Sequence, residues 1–253
     1  MSRDIWTRCE GPSRVSPLTV KAWRVVEAQH KVSTRRLVDT LEEQAILEEI
    51  VDAAKPLRPA GPEFEGLHYL LYTPFRHPPL RRGSRFGTPT ERSIWYGARE
   101  VETSLAEKAY YQLLFADGTK ADLNNLSCDW TAFPAGVETP FAVDLTAAAF
   151  AAFHDQISSP SSYSATQPLG RAMRAAGVVA FLFTSARCPD KGTAVGLFSP
   201  AFPDNNIRSF QTWKCVVTDV GCEVVYLNGS RPPLVFSKAS FEVAGALPAP
   251  SIG

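Results

Sequence analysis

The stretch Pro79–Tyr111, PLRRGSRFGTPTERSIWYGAREVETSLAEKAYY, changes character twice within 33 residues. Its first fourteen residues hold four arginines, Arg81, Arg82, Arg85 and Arg92, among glycines and prolines. That punctuation interrupts any strand ladder, so residues 75–89 read as loop. SIWYGA (93–98) reads as a short strand. From Glu102 to Phe115, Leu105, Ala106, Ala109 and Leu113 recur on one side, which predicts a helix. A basic loop, an aromatic strand and a helix with a carboxylate, Glu107, thus follow one another directly.

Outward from this unit, TVKAWRVVEAQ (19–29) reads as strand or short helix, and periodicity does not separate the two. Ser33 or Thr34 can cap a helix running to about Lys55, with Leu37, Leu41, Ala45, Ile50, Val51 and Ala54 as its apolar stripe. Lys55-Pro56 ends it, and residues 55–66 form a Pro/Gly-rich connector. LHYLLYT (67–73) is expected as a strand. Downstream, FAVDLT (141–146) predicts a strand and a helical stretch to about Asp155. LGRAMRAAG (169–177) predicts a short helix closed by Gly177. VVAFLFT (178–184) and AVGLFSP (194–200) predict strands, and 215–219 with 222–227 a hairpin. The class is α+β. The expected organisation is a mainly helical extension over 1–60, one domain over 61–240 and a loose tail over 241–253.

Composition narrows the function. Twenty-six basic residues balance twenty-six acidic ones, so no global charge steers the chain to nucleic acid or membrane, and any anion site is local. Five widely spaced cysteines, without C-x-x-C, suit neither a disulfide framework nor a structural zinc site. They fit a reducing cytoplasm. The longest apolar run, Ala176–Phe183, is far too short to span a bilayer.

Several residues can carry chemistry. Arg85, between Gly83 and Gly87, can grip a phosphate with two parallel hydrogen bonds, although a solvated basic loop is the plainer reading on composition. Trp95 suits the core. Tyr96 points to the opposite face of its strand, where its ring can stack on a planar or cationic heterocycle. Glu107 borders the buried side of its helix, and a carboxylate there can stabilise an oxocarbenium-like centre. Glu100 and Glu102 compete with it. Ser185 follows a buried strand without a G-x-S-x-G context, so turn capping is the plainer role. His30, His68, His77 and His154 lack metal-ligand spacing, and no Walker A or G-x-G-x-x-G fingerprint occurs.

Three motifs in order, TPFRHPPLRRGSRFG (73–87), SIWYGAREVETSLAEKAYY (93–111) and AGVVAFLFTSARCPDKGTAVGLFSPAF (176–202), make the chain resemble the RES-domain family. That family is named for an arginine, a glutamate and a serine. Residues 22–56 resemble the N-terminal extension of its longer subgroup. The matching positions are Arg85 in GSRF, Tyr96 in WYGA, Glu107 in SLAE and Ser185 in FTSAR.

The resemblance implies an ADP-ribosyltransferase-like fold, with a bent, mostly antiparallel sheet and flanking helices. It implies the toxin half of a RES–Xre toxin–antitoxin pair that consumes NAD as substrate, without a metal. Arg85 would grip the pyrophosphate and Tyr96 would hold the cationic nicotinamide. Glu107 would stabilise the ribosyl cation, and Ser185 would orient the ribose or the amide. Arg76 and Arg187 would help to bind the dinucleotide. The implied partner is an Xre-type antitoxin, with a homodimer inside the complex and nucleic acid met only through the antitoxin. Water, phosphate or a protein side chain remain open as acceptor. A mono-ADP-ribosyltransferase acting on a protein is a second enzymatic reading, and a non-catalytic nucleic-acid-binding module a third.

Overall fold

The computed structural model describes residues 4–28, 40–119 and 126–249. Eight strands form one sheet in the order β1-β2-β5-β4-β3-β6-β7-β8. They are β1 (Ser16–Glu27), β2 (Trp95–Ala98), β3 (Leu126–Asp144), β4 (Ala180–Thr184), β5 (Thr193–Leu197), β6 (Gln211–Val217), β7 (Gly221–Tyr226) and β8 (Leu234–Ser237). β3 runs parallel to β4, and the other pairings are antiparallel.

β1 meets β2 at Trp23↔Ala98 and also pairs with β3 from Ser16↔Ala142 to Glu27↔Trp130. The strands β1, β2, β5, β4 and β3 therefore close into a ring. Closure forces strong curvature, so the expected bent, mostly antiparallel α+β sheet is present. β6, β7 and β8 continue from the other edge of β3 as an open wing.

The ring corrects the expected organisation. β1 lies within 1–60 yet is a central strand, so that stretch is no separate helical lobe. Residues 19–27 of that run are strand, with Ala22 packed beside Phe133 and Trp95 in one apolar cluster, and Gln29 lies outside the described residues. α2 (Leu41–Ala53) opens at Thr40 with a reciprocal capping box. Glu43 N–H donates to Thr40 Oγ1, and Thr40 N–H to Glu43 Oε2, each at 3.1 Å. The expected caps Ser33 and Thr34 lie outside the described residues. Leu41, Ile50 and Val51, expected on a buried stripe, are exposed.

The strand expected over 67–73 is instead a helix, α3 (Tyr69–Arg76). His68 Nδ1 accepts the Leu70 N–H at its start, and Leu70, Leu71 and Phe75 are buried at helical spacing. A short apolar run cannot separate strand from helix, and the cap decides this one. Two other elements differ. β3 starts at Leu126, well before the strand expected at Phe141, and β8 had no expectation. The tail is anchored rather than loose as far as Pro248. Phe241 and Leu247 are buried in the cluster beneath β6 and β7, and Tyr110 Oη donates to the Pro248 carbonyl.

The helix expected over 102–115 is α4 (Val101–Asp117), which follows β2 after two residues. Its buried side, including Leu105, Ala109 and Leu113, packs with Trp130 and Trp213 from β3 and β6. Ser104 Oγ donates to the Trp23 carbonyl at 2.7 Å and ties α4 to β1. α1 (Ile5–Arg8) and α6 (Thr166–Ala175) cover the opposite side, where Phe86, Phe150, Phe181 and Phe183 build an aromatic cluster. α5 (His154–Ile157) leads into the loop before α6.

Candidate active site

The basic loop folds into a tight hairpin around Arg85. Ser84 N–H donates to the Gly87 carbonyl at 2.7 Å, and Gly87 N–H returns the bond at 3.3 Å. Arg85 and Phe86 form the tip. Gly83 precedes the turn at φ 69°, a left-handed conformation suited to glycine, and a Cβ there would sit 2.1 Å from the Gly87 carbonyl oxygen. Its glycine therefore serves the turn itself rather than close approach of a ligand.

Three contacts hold this hairpin. Gln167 of α6 sends Nε2 to the carbonyls of Arg82, Ser84 and Gly87 at 2.9, 3.1 and 3.3 Å. Gly170 lets α6 sit directly on Phe86, whose carbonyl oxygen would lie 1.9 Å from an added Cβ. Tyr96 Oη lies 3.0 Å from Ser84 Oγ and accepts the Phe86 N–H at 3.3 Å. Burial pushes the Tyr96 hydroxyl up to about 12. Trp95, on the other face of β2, is fully buried, as the alternation of the strand requires.

Arg85 is only 7% exposed, yet no carboxylate pairs with it among the described residues. Its Nη1 donates to the carbonyls of Ile157 and Ser159 at 3.2 and 2.7 Å. Its guanidinium lies 5.3 Å from the centre of the Tyr163 ring.

Glu107 and Ser185 meet. Ser185 Oγ donates to Glu107 Oε1 at 2.5 Å and accepts the N–H groups of Arg187 and Cys188 at 3.1 and 3.0 Å. Two donors fix the oxygen, which leaves its proton directed at the carboxylate. Ser185 therefore caps its turn and orients Glu107 with the same atom.

Arg85, Tyr96 and Glu107 line one cavity of about 430 Å³, within the usual range of small-molecule sites. Ser185 reaches it through Glu107. Arg187 stands behind this group. Its guanidinium lies 3.5 Å from the centre of the Tyr110 ring, and its Nη2 donates to the Pro160 carbonyl at 2.7 Å. Arg76 is not brought to the site. At the end of α3, its Nε donates to the Pro56 carbonyl, and Arg76 is not among the residues that line the cavity, although Pro74 and Pro78 are. The structure therefore separates Arg76 from the other predicted residues.

The cavity also contains residues without a sequence-based expectation, Arg24, Lys108, Tyr111 and Tyr163. Arg24 Nη1 donates to the Tyr96 carbonyl at 2.5 Å, its Nε has no hydrogen-bond partner among the described residues, and burial lowers its pKa to about 10. An arginine inside the apolar run AWRVV was its only signal. Among the described residues, no group of three or more His, Cys, Asp or Glu side chains could hold a metal ion. No helix among them is long and apolar enough to cross a membrane.

The family described as the RES domain matches residues 56–218, well over half of the chain. The chain belongs to the RES-domain family. Within the matched stretch lie the Arg85 hairpin, β2, α4 and Ser185; β1 with Arg24 precedes it. No curated protein matches the chain. Among solved structures, a chain in the crystal structure of the M. tuberculosis MbcT–MbcA toxin–antitoxin complex is similar at 14% identity, with a TM-score of 0.46. The match covers 86% of this chain and 93% of that one.

Proposed function

We propose that this RES domain cleaves the nicotinamide–ribose bond of NAD, with water or phosphate as acceptor, and acts in the cytoplasm as the toxin of a toxin–antitoxin pair. The observation that carries the reading is the meeting of Arg85, Tyr96 and Glu107 on one cavity, with Ser185 Oγ donating to Glu107.

The chemistry follows from the charges. Among the described residues Arg85 binds protein through Nη1, so Nε and Nη2 remain for a pyrophosphate oxygen. Arg24 adds a second cation on the same cavity. The aromatic ring of Tyr96 offers a face for the cationic nicotinamide. As the glycosidic bond breaks, the electron pair leaves with neutral nicotinamide and positive charge develops on the ribose. Glu107, oriented by Ser185, stabilises that charge where it forms. The acceptor oxygen then adds to the ribosyl carbon; a water gives up one proton to solvent, and phosphate adds through an unprotonated oxygen.

A toxin of this kind must be silenced. The cognate partner is an Xre-type antitoxin protein, in an assembly in which the toxin can be dimeric. Transfer of ADP-ribose to a protein uses the same cavity and differs only in the acceptor. Product analysis of an NAD incubation with and without phosphate, beside labelled NAD in cell lysate, separates these outcomes. Release of nicotinamide with ADP-ribose or its 1″-phosphate supports the reading. Intact NAD in both buffers, with no labelled protein in the lysate, refutes it.

A further inference from the structure

One uncharged loop holds both Arg85 and Arg187. Residues 157–163, ISSPSSY, contain no ionisable group except Tyr163. The carbonyls of Ile157 and Ser159 accept from Arg85, and that of Pro160 accepts from Arg187. Ser158 Oγ donates to the Thr184 carbonyl at 2.8 Å, next to Ser185. Tyr163, 6% exposed, lies under the Arg85 guanidinium and lines the cavity. Its hydroxyl is 3.5 Å from that of Tyr111, which stands one helical turn beyond Glu107 on α4.

A buried guanidinium is usually held by a carboxylate, which fixes its position and cancels its charge. Here carbonyl dipoles and an aromatic face fix the position and leave the charge in place. Among the described residues the hydrogen bonds from the Arg85 guanidinium to protein run through Nη1, so the loop also decides which edge is left for a ligand.

We infer that Tyr163 is a positioning residue, the floor of a neutral clamp that presents Arg85, with its charge uncancelled, to the pyrophosphate of the substrate. This rests on the NAD reading above. An interaction with the pyrophosphate persists through the reaction, so its loss should raise KM and leave kcat near its original value. The ring, not the hydroxyl, faces the cation, so phenylalanine should serve nearly as well as tyrosine.

The test is steady-state NAD turnover by the full chain as wild type, Tyr163→Leu and Tyr163→Phe. Between its exposed and fully desolvated limits, a cation–π contact corresponds to a change of about tenfold. Tyr163→Leu should therefore raise KM for NAD about tenfold, with kcat within about threefold, and Tyr163→Phe should restore KM to within about twofold. An unchanged KM in Tyr163→Leu overturns the inference. So does a fall in kcat at constant KM, or a Tyr163→Phe variant as impaired as Tyr163→Leu. If Tyr163→Leu loses its thermal unfolding transition, Tyr163→Met, of similar volume, is read by the same criteria. A wild type that neither binds nor consumes NAD overturns the proposed function and this inference together. An active wild type with an indifferent Tyr163 overturns this inference alone.

Discussion

Ser185→Ala offers the sharpest perturbation of the site. The substitution removes one donor to a carboxylate and one acceptor for two N–H groups. A hydrogen bond to a charged group contributes about 1.5–3 kcal/mol, and each buried donor left without a partner costs about 1–3 kcal/mol. With Ser185 buried, the total loss of stability should be at least about 3.5 kcal/mol. For a chain of this size that lowers Tm by roughly 10 °C.

Only part of this loss belongs to Glu107. A double-mutant cycle isolates it, because the orphaned N–H groups of Arg187 and Cys188 occur in both arms that carry the serine substitution and cancel. Urea unfolding of wild type, Ser185→Ala, Glu107→Ala and the double variant should give a coupling of about 1.5–3 kcal/mol. A coupling below about 0.5 kcal/mol, within the scatter of independent sites, would mean that Ser185 does not hold Glu107. The serine would then be a turn cap alone.

Further expectations follow from other contacts. Gly170→Ala drives a methyl group into the Phe86 carbonyl and should cost about 1–3 kcal/mol of stability in urea unfolding; a loss below about 0.5 kcal/mol would show that α6 does not pack closely on the hairpin. Arg76→Ala should keep NAD turnover within about twofold of wild type, since Arg76 faces the Pro56 carbonyl, and a loss of about tenfold would return it to the site. Burial raises the Tyr96 hydroxyl to about 12, so the folded chain holds a proton that the unfolded chain releases near pH 10. Its contribution to stability is complete below about pH 10 and is lost as pH rises toward about 12. Tyr96→Phe should therefore show a shallower decline of the urea midpoint across that window, with Tyr110 responsible for part of the remaining slope; an unchanged decline would refute the assignment.

The residues of the candidate site were more legible in the sequence than the scaffold that holds them. Gly83, Arg85, Tyr96 and Glu107 sit in a continuous loop–strand–helix unit, where chain connectivity alone brings them close. Ser185 stood out because it ends an apolar strand. The missed parts depend on contacts between distant segments. Gln167 and Gly170 lie on α6, and only docking of that helix shows that they hold the Arg85 hairpin. Arg24 lies on a strand whose place in the ring depends on pairing with β3, more than a hundred residues away. Tyr163 sits in a serine-rich stretch that reads as plain loop. The misread helix at 69–76 has a different cause: LHYLLYT is apolar at nearly every position, so neither period shows, and the cap on His68 Nδ1 is a local hydrogen bond that composition does not display.

The measurement to make first is nicotinamide release from NAD by the purified chain, beside Glu107→Gln at matched concentration and with both proteins shown to be folded. Glu107→Gln keeps the size of the side chain and its acceptor oxygen for Ser185 while removing the charge. If the carboxylate stabilises the ribosyl cation, release should be readily detected in wild type and fall by about 100-fold or more in the variant. Equal release by the two proteins would contradict the role of Glu107, and no release by either would contradict NAD cleavage itself.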